Sequence, residues 1–270
     1  EKACKHFPMA FNPSASEGAI WSRYASPARF FPLAGNWITP LYVLAAVLAC
    51  IGLYIGFVIA PTDWQQGESY RIIFIHVPAA WMSMLIFLAM AFWGVLALVL
   101  KTRLSAMMLQ ALAPTGAWMT FIALWTGAFW GKPTWGTYWV WDARITSELI
   151  LLFLYLGVIG LRASIEDDRK ADRACALMAI VGAINVPVIY FFVRWWNTLH
   201  QGASVSLTAA PMMAQTMLTA MLIMTVAAWL YCIATSLVRV RSLIIAREPL
   251  AVWDRFFPSP RLPGREQQPL

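Results

Sequence analysis

Six stretches of the chain are apolar on every helical face: 41–60, 79–100, 106–130, 145–161, 174–193 and 211–235. Each is close to the ~20 residues that a helix needs to cross the hydrocarbon core of a bilayer. A helix that is apolar all round has lipid or protein on all sides, not water. The pattern therefore predicts an all-α polytopic membrane protein with six transmembrane helices. Pro114, Pro187 and Pro211 fall in or at the edge of three of these stretches. Membrane helices tolerate proline because neighbouring groups satisfy the freed carbonyls. The polar residues 1–40 read as an N-terminal segment and not as a cleavable leader. Residues 41–240 form the membrane domain, and the Pro- and Arg-rich residues 241–270 form a tail.

Composition agrees. Hydrophobic residues make up 60% of the 270 positions and charged residues 12%, half the ~25% charge of soluble domains. Disorder and an ordinary water-soluble fold are both excluded. The net charge of +7 is unevenly placed. Sixteen of the twenty basic residues fall in the N-terminal segment, in 101–105, in 162–173 and after the sixth stretch, from Arg239 on. The positive-inside rule puts those parts, and both termini, in the cytoplasm. Loops 61–78, 131–144 and 194–210 then face outward and carry only Arg71, Lys132, Arg144 and Arg194. The charge is thus an orientation signal and not a nucleic-acid footprint.

The outer loops hold six of the fifteen tryptophans and two of the three histidines, His76 and His200. A membrane–water boundary attracts Trp by itself. It does not account for Trp135, Tyr138, Trp139 and Trp141 within the eight residues 135–142. As a helix this segment sets Trp135, Tyr138 and Trp139 on one face; as a strand it sets Trp135, Trp139 and Trp141 together. A short interfacial helix is the favoured reading. Either form presents an aromatic shelf, and a flat, mostly apolar ligand suits it. Haem is the natural candidate: indoles stack on its ring, cations meet its propionates, and imidazoles ligate its iron. Asp142 fits two jobs, capping the next helix or orienting a ligand histidine. Arg144 and Arg194 either snorkel or pair with propionates, and Arg71 is open to the same readings or to a protein contact.

Other classes are disfavoured. Cys4, Cys50, Cys175 and Cys232 form no C-x-x-C pair, so thiol redox chemistry and covalent haem attachment have no motif. No G-x-x-x-x-G-K-[ST] loop is present, so any nucleotide chemistry belongs to a partner. Glu148 is the one formal charge inside the six stretches and lies near the outer end of the fourth, which does not suit a proton relay through the bilayer. The methionines of the third and sixth stretches read as adaptable packing. A structural scaffold subunit and a quinone-binding subunit remain as alternatives, though neither uses the two outer histidines.

The segment WGTYWVWDARIT, Trp135–Thr146, resembles the tryptophan-rich "WWD" signature of the haem-handling membrane proteins of cytochrome c biogenesis. HVPAAW at His76–Trp81 and WWNTLHQGAS at Trp195–Ser204 resemble one branch of it, cytochrome c maturation protein C (CcmC, haem exporter protein C). The resemblance covers roughly residues 35–245. It implies non-covalent haem b with His76 and His200 as axial ligands. Trp135, Tyr138, Trp139, Trp141, Asp142 and Arg144 would form the haem platform on the periplasmic face of a bacterial inner membrane. It further implies delivery of haem to a periplasmic haem chaperone of the CcmE type. The implied complex also contains an ABC ATPase, a second membrane subunit and a small single-span subunit.

The charge asymmetry yields a direct expectation. A cysteine introduced in 131–144 is labelled by a membrane-impermeant thiol reagent from outside, whereas one introduced in 162–173 is labelled only after the membrane is opened. Labelling of both from one side would refute the orientation.

Overall fold

Lipid offers no hydrogen-bonding partner to a polypeptide backbone, so each spanning segment must satisfy its own amides as a helix. The computed structural model describes residues 26–195 and 213–248, and among these all six expected spans are helical, with no strand. The helices are α1 (Pro27–Tyr54), α2 (Ile73–Val99), α3 (Arg103–Trp135), α4 (Ala143–Ser164), α5 (Asp168–Gly182), α6 (Asn185–Trp195) and α7 (Gln215–Arg247). A π-helical turn, Ile55–Ile59, ends α1, and a 3-10 turn, Glu68–Ile72, leads into α2.

The helices overrun their apolar stretches. α1 begins at Pro27, with proline in its first turn where no N–H is needed, and continues through Pro32 and Pro40. Residues 27–40 of the expected N-terminal segment 1–40 are therefore helix. α7 starts at Gln215, four residues later than expected, and continues to Arg247. The fifth span is not one helix. The chain turns at 183–184, and Pro187 lies in the first turn of α6, where its missing N–H and ring would otherwise disturb a continuous helix. Asn185 Nδ2 donates to the Ser147 carbonyl at 2.9 Å and fastens the joint to α4.

α2 packs along α3, and α1 along α7, while α5 rests on α2 and α6 on α4. Small residues permit the close approach. The ring of Tyr155, fully buried on α4, lies against Gly116 of α3, where a Cβ would come within 2.2 Å of it. Tyr155 meets Phe87 edge-on at 4.9 Å and donates its hydroxyl to the Ser83 carbonyl at 2.6 Å. On the opposite, lipid-facing side of α3, Trp118, Phe121, Trp125 and Phe129 form a ladder of exposed rings.

Polar cross-links close the basic end. The buried Gln110 of α3 accepts from Arg247 Nη2 at 2.7 Å and from Arg162 Nε at 3.3 Å, and its amide donates to Asp172. Arg247 also reaches Asp172 at 3.2 Å, and Arg162 pairs with Asp168. Four helices are thereby joined through one amide.

Replacing Gly116 with Val drives two methyl groups into the Tyr155 ring. Overpacking of this kind costs about 1–3 kcal/mol, so the detergent-solubilised variant should unfold several degrees below wild type. An unchanged midpoint would show that the two helices are not held at this spacing.

Candidate functional site

At the end of the bundle opposite the basic network, α2, α3, α4 and α6 surround a cleft whose mouth is covered by the 136–142 segment. Its walls carry His76, Gly127, Tyr138, Trp139, Arg144 and Glu148, with Ala80, Met84, Leu124 and Ile189 between them. The enclosed part is only about 40 Å³, room for a water molecule or two. A large planar ligand does not fit inside it as it stands. A second hollow of about 480 Å³ between α1, α2, α3 and α7 is lined by alanines and other apolar groups with Tyr42 and Tyr231, and holds none of the candidate residues.

The local sequence explains the geometry of the mouth. Gly136 ends α3 in the left-handed conformation at φ 77°, and its N–H bonds back to the Lys132 carbonyl at 3.0 Å. From there the chain runs without helix to Asp142. The expectation of a short interfacial helix over 135–142 is thus corrected: Trp135 is the last residue of α3, and the rest is an extended, bent strap. The left-handed glycine stops one helix, and Asp142, in extended conformation, starts the next by accepting the Ile145 N–H at 2.8 Å. Of its two readings, Asp142 displays the capping one.

His76 lies in the first turn of α2. Its Nδ1 is 3.0 Å from Thr126 Oγ1 on α3. The Thr126 hydroxyl already donates its proton to the Ile122 carbonyl at 2.6 Å. With that proton committed, the hydroxyl accepts from the ring Nδ1–H; in a neutral ring the lone pair then falls on Nε2, the tautomer of an imidazole held by an outer partner. Gly127 makes room for the ring, since a Cβ there would come within 3.0 Å of His76 Cε1. Trp130 supports the imidazole edge-on at 5.6 Å and is itself fixed by its Nε1–H bond to Gln66 Oε1 at 2.8 Å.

Trp139 turns its indole into the cleft and meets Trp141 edge-on at 5.4 Å. Its Nε1–H is buried with no hydrogen-bond partner among the described residues. Such a group costs about 1–3 kcal/mol unless a ligand supplies an acceptor. The half-buried Arg144 side chain likewise makes no hydrogen bond or ion pair within the described residues, although the Asp142 and Glu148 carboxylates lie within electrostatic reach. Two donors without acceptors, beside an imidazole lone pair and an apolar wall, fit a ligand that is flat, apolar, anionic at its edge and Lewis-acidic at its centre. No group of three His, Cys, Asp or Glu among the described residues could cage a bare metal ion.

Four of the expected site residues, His76, Tyr138, Trp139 and Arg144, thus share the cleft. Trp135 instead packs over Gly131, and Trp141 is 74% exposed beside the mouth. His200 and the Arg194 side chain lie outside the described residues. Arg71 is structural, for its guanidinium donates to the Gly56 and Ala60 carbonyls at the frayed end of α1 and pairs with Glu68. Sequence reasoning does not assign Thr126, Gly127, Ser83 or Glu148 to the site. A signal is available for two of them: Ser83 is two helical turns below His76, and Glu148 is one turn below Arg144, each on its partner's face.

These features define a membrane protein of six spans with a histidine- and tryptophan-walled cleft at one end of its bundle. The chain belongs to the CcmC family: the family profile "Heme exporter protein C" matches residues 20–255. It is 49% identical over 180 residues to "Heme exporter protein C" of Escherichia coli K12, covering 67% of this chain and 74% of that one. It is 43% identical over 223 residues to the protein of the same name from Bradyrhizobium diazoefficiens, covering 83% and 84%. A "Putative cytochrome c biosynthesis ccmC-like mitochondrial protein" of Marchantia polymorpha is 50% identical over 159 residues, covering 59% of this chain and 67% of that one.

The His76 tautomer is directly testable. Imidazole ¹⁵N NMR of the protein labelled at histidine should show an Nδ1-protonated ring, and Thr126→Val should shift it towards a tautomer mixture. A wild-type ring protonated at Nε2 would contradict the assignment.

Proposed function

We propose that this protein binds haem at the periplasmic face of a bacterial inner membrane and delivers it to a periplasmic haem chaperone of the CcmE type during cytochrome c biogenesis. The observation that carries this reading is the company kept by His76: an Nδ1-protonated imidazole, the unpartnered Trp139 N–H and the unpartnered Arg144 side chain around one cleft. In this reading His76 Nε2 is one axial ligand and His200 the other. Trp139 and Tyr138 support the porphyrin, and Arg144 and the Trp139 N–H meet its propionates, with Trp135, Trp141 and Asp142 shaping the platform. The names of two relatives support haem as cargo, and that of the third supports cytochrome c biosynthesis as the setting.

The haem would be type b, held without a covalent bond. Among the described residues, Cys50, Cys175 and Cys232 are free thiols and none lines the cleft. Coordination and propionate pairing can be undone, which is what a carrier that hands its cargo on requires. The chain contains no ATP-binding loop, so energy input falls to an ABC ATPase partner. A second membrane subunit and a small single-span subunit complete the proposed complex. A scaffold or a quinone site leaves the metal-ligating tautomer of His76 without a use.

The test is the visible spectrum of the protein purified in detergent. Wild type should carry haem with bis-imidazole features, and His76→Ala and His200→Ala should each lose most of it. Arg144→Ala should weaken retention while leaving the axial signature in the fraction that remains loaded. Full haem content and unchanged spectra in both histidine variants would sink the axial assignment.

A further inference from the structure

The orientation of the His76 ring is set from outside the cleft. The hydrogen bond between Nδ1 and Thr126 Oγ1, at 3.0 Å, decides which nitrogen carries the proton. Such a bond is broad in angle, so it holds the plane of the ring loosely. A second contact is needed to stop the ring from tilting. Trp130, one turn along α3 from Thr126, meets the imidazole edge-on with centroids 5.6 Å apart and planes at 72°. An indole swings about its own side-chain bonds, however, so this brace is only as firm as whatever holds Trp130.

That holder comes from a distant part of the chain. Trp130 Nε1–H donates to Gln66 Oε1 at 2.8 Å, across sixty-four positions of sequence. An indole N–H only donates, so the Gln66 amide must turn its oxygen towards it. The backbone that carries Gln66 is tied on several sides. Asp63 Oδ1 accepts the Gln65 and Gln66 N–H groups at 3.0 and 2.7 Å, and the Asp63 carbonyl accepts the Gly67 N–H at 3.0 Å. Gly67 turns the chain back at φ 58°. The Gln66 carbonyl accepts the Ser69 hydroxyl at 2.6 Å, and the Tyr70 hydroxyl closes the base of the loop on the Pro61 carbonyl at 2.8 Å.

We infer that Gln66, carried on the loop tied by Asp63, is a positioning residue that holds Trp130 and through it fixes the plane in which His76 presents Nε2 to its ligand. The inference rests on the haem reading above and adds to it the group that orients one axial imidazole. The plane of an imidazole decides which iron orbital its π electrons meet, and outer partners of a ligand histidine tune both the hold on the metal and its electronic state.

The first arm of the experiment needs no haem. The full-length protein in detergent is labelled with ¹⁵N at tryptophan and histidine, and the Trp130 indole signal is identified by its loss in Trp130→Phe. Gln66→Leu should speed exchange of that indole proton with water by about tenfold, the scale of one hydrogen bond lost, and shift the His76 ring signals. Gln66→Glu, which still offers an oxygen, should leave both near wild type. The second arm loads the same proteins with hemin and records the ferric EPR g values and the rate of haem loss to excess apomyoglobin. Gln66→Leu and Trp130→Phe should each move the g values and speed loss by about tenfold, the lower end for an outer partner of a metal ligand. The double variant should lose haem no faster than either single one, because both changes break the same brace. Unchanged g values in Gln66→Leu, or a double variant whose effect is the product of the two, overturns the inference and leaves the haem reading intact. A role in folding alone would lower the unfolding midpoint without moving the g values, and that result overturns it as well. Should Gln66→Leu not fold, unchanged g values and haem loss in Trp130→Phe are the overturning result. Failure of the wild type to take up hemin overturns the haem reading instead, and the first arm then decides whether Gln66 holds Trp130 and the His76 ring.

Discussion

Inside a bilayer a polar group that has no partner cannot borrow one from water, and this constraint organises the whole molecule. The helices, the proline positions and the left-handed turn at Gly136 all follow from it. So do the fastenings of individual side chains. The Tyr155 hydroxyl finds the Ser83 carbonyl, the Arg71 guanidinium finds the open carbonyls of α1, and the Asn185 amide finds Ser147. Among the described residues a few buried polar atoms lack a partner, on Thr115, Trp139, Arg241 and Glu248. Of these the Trp139 indole N–H lies in the cleft, beside the half-buried Arg144 side chain.

The same constraint explains the precision of the imidazole. His76 is presented on the first turn of a helix, and its proton is placed by a threonine that has already committed its own hydrogen to a helix carbonyl. No charged partner is needed to choose the tautomer; the geometry of α2 against α3 does it. Gly127 and Trp130 then limit the ring's rotation from two sides. What results is an imidazole of fixed direction on the wall of the cleft.

Much of this is legible in the sequence, for physical reasons that differ by feature. The six spans are readable because the thickness of hydrocarbon imposes a minimum apolar length. Their ends are not, because a helix continues beyond the lipid as long as its own caps permit: Arg247 ends α7 among polar partners that no hydropathy window registers. The break in the fifth span hides behind Pro187, a residue that membrane helices often absorb without interruption. In the site, His76, Trp139 and Arg144 are visible by residue type. Thr126, Gly127 and Ser83 are not, since their meaning comes from facing helices fifty or more positions away. Glu148 stands out as a lone charge, but only the α2–α4 juxtaposition relates it to Ser83 and to the imidazole. The form of the strap is hidden because aromatic spacing fits both periodicities, and a single left-handed glycine decides against the helix that the sequence favours.

The joint at 183–184 has a mechanical corollary. Its lower rod, α5, packs on both α2 and α4, and its upper rod, α6, packs mainly on α4. An unbroken rod would run straight past both walls of the cleft, whereas the break lets α6 follow α4 on its own course, above a foot tied by the Gln110–Arg247–Asp172 knot.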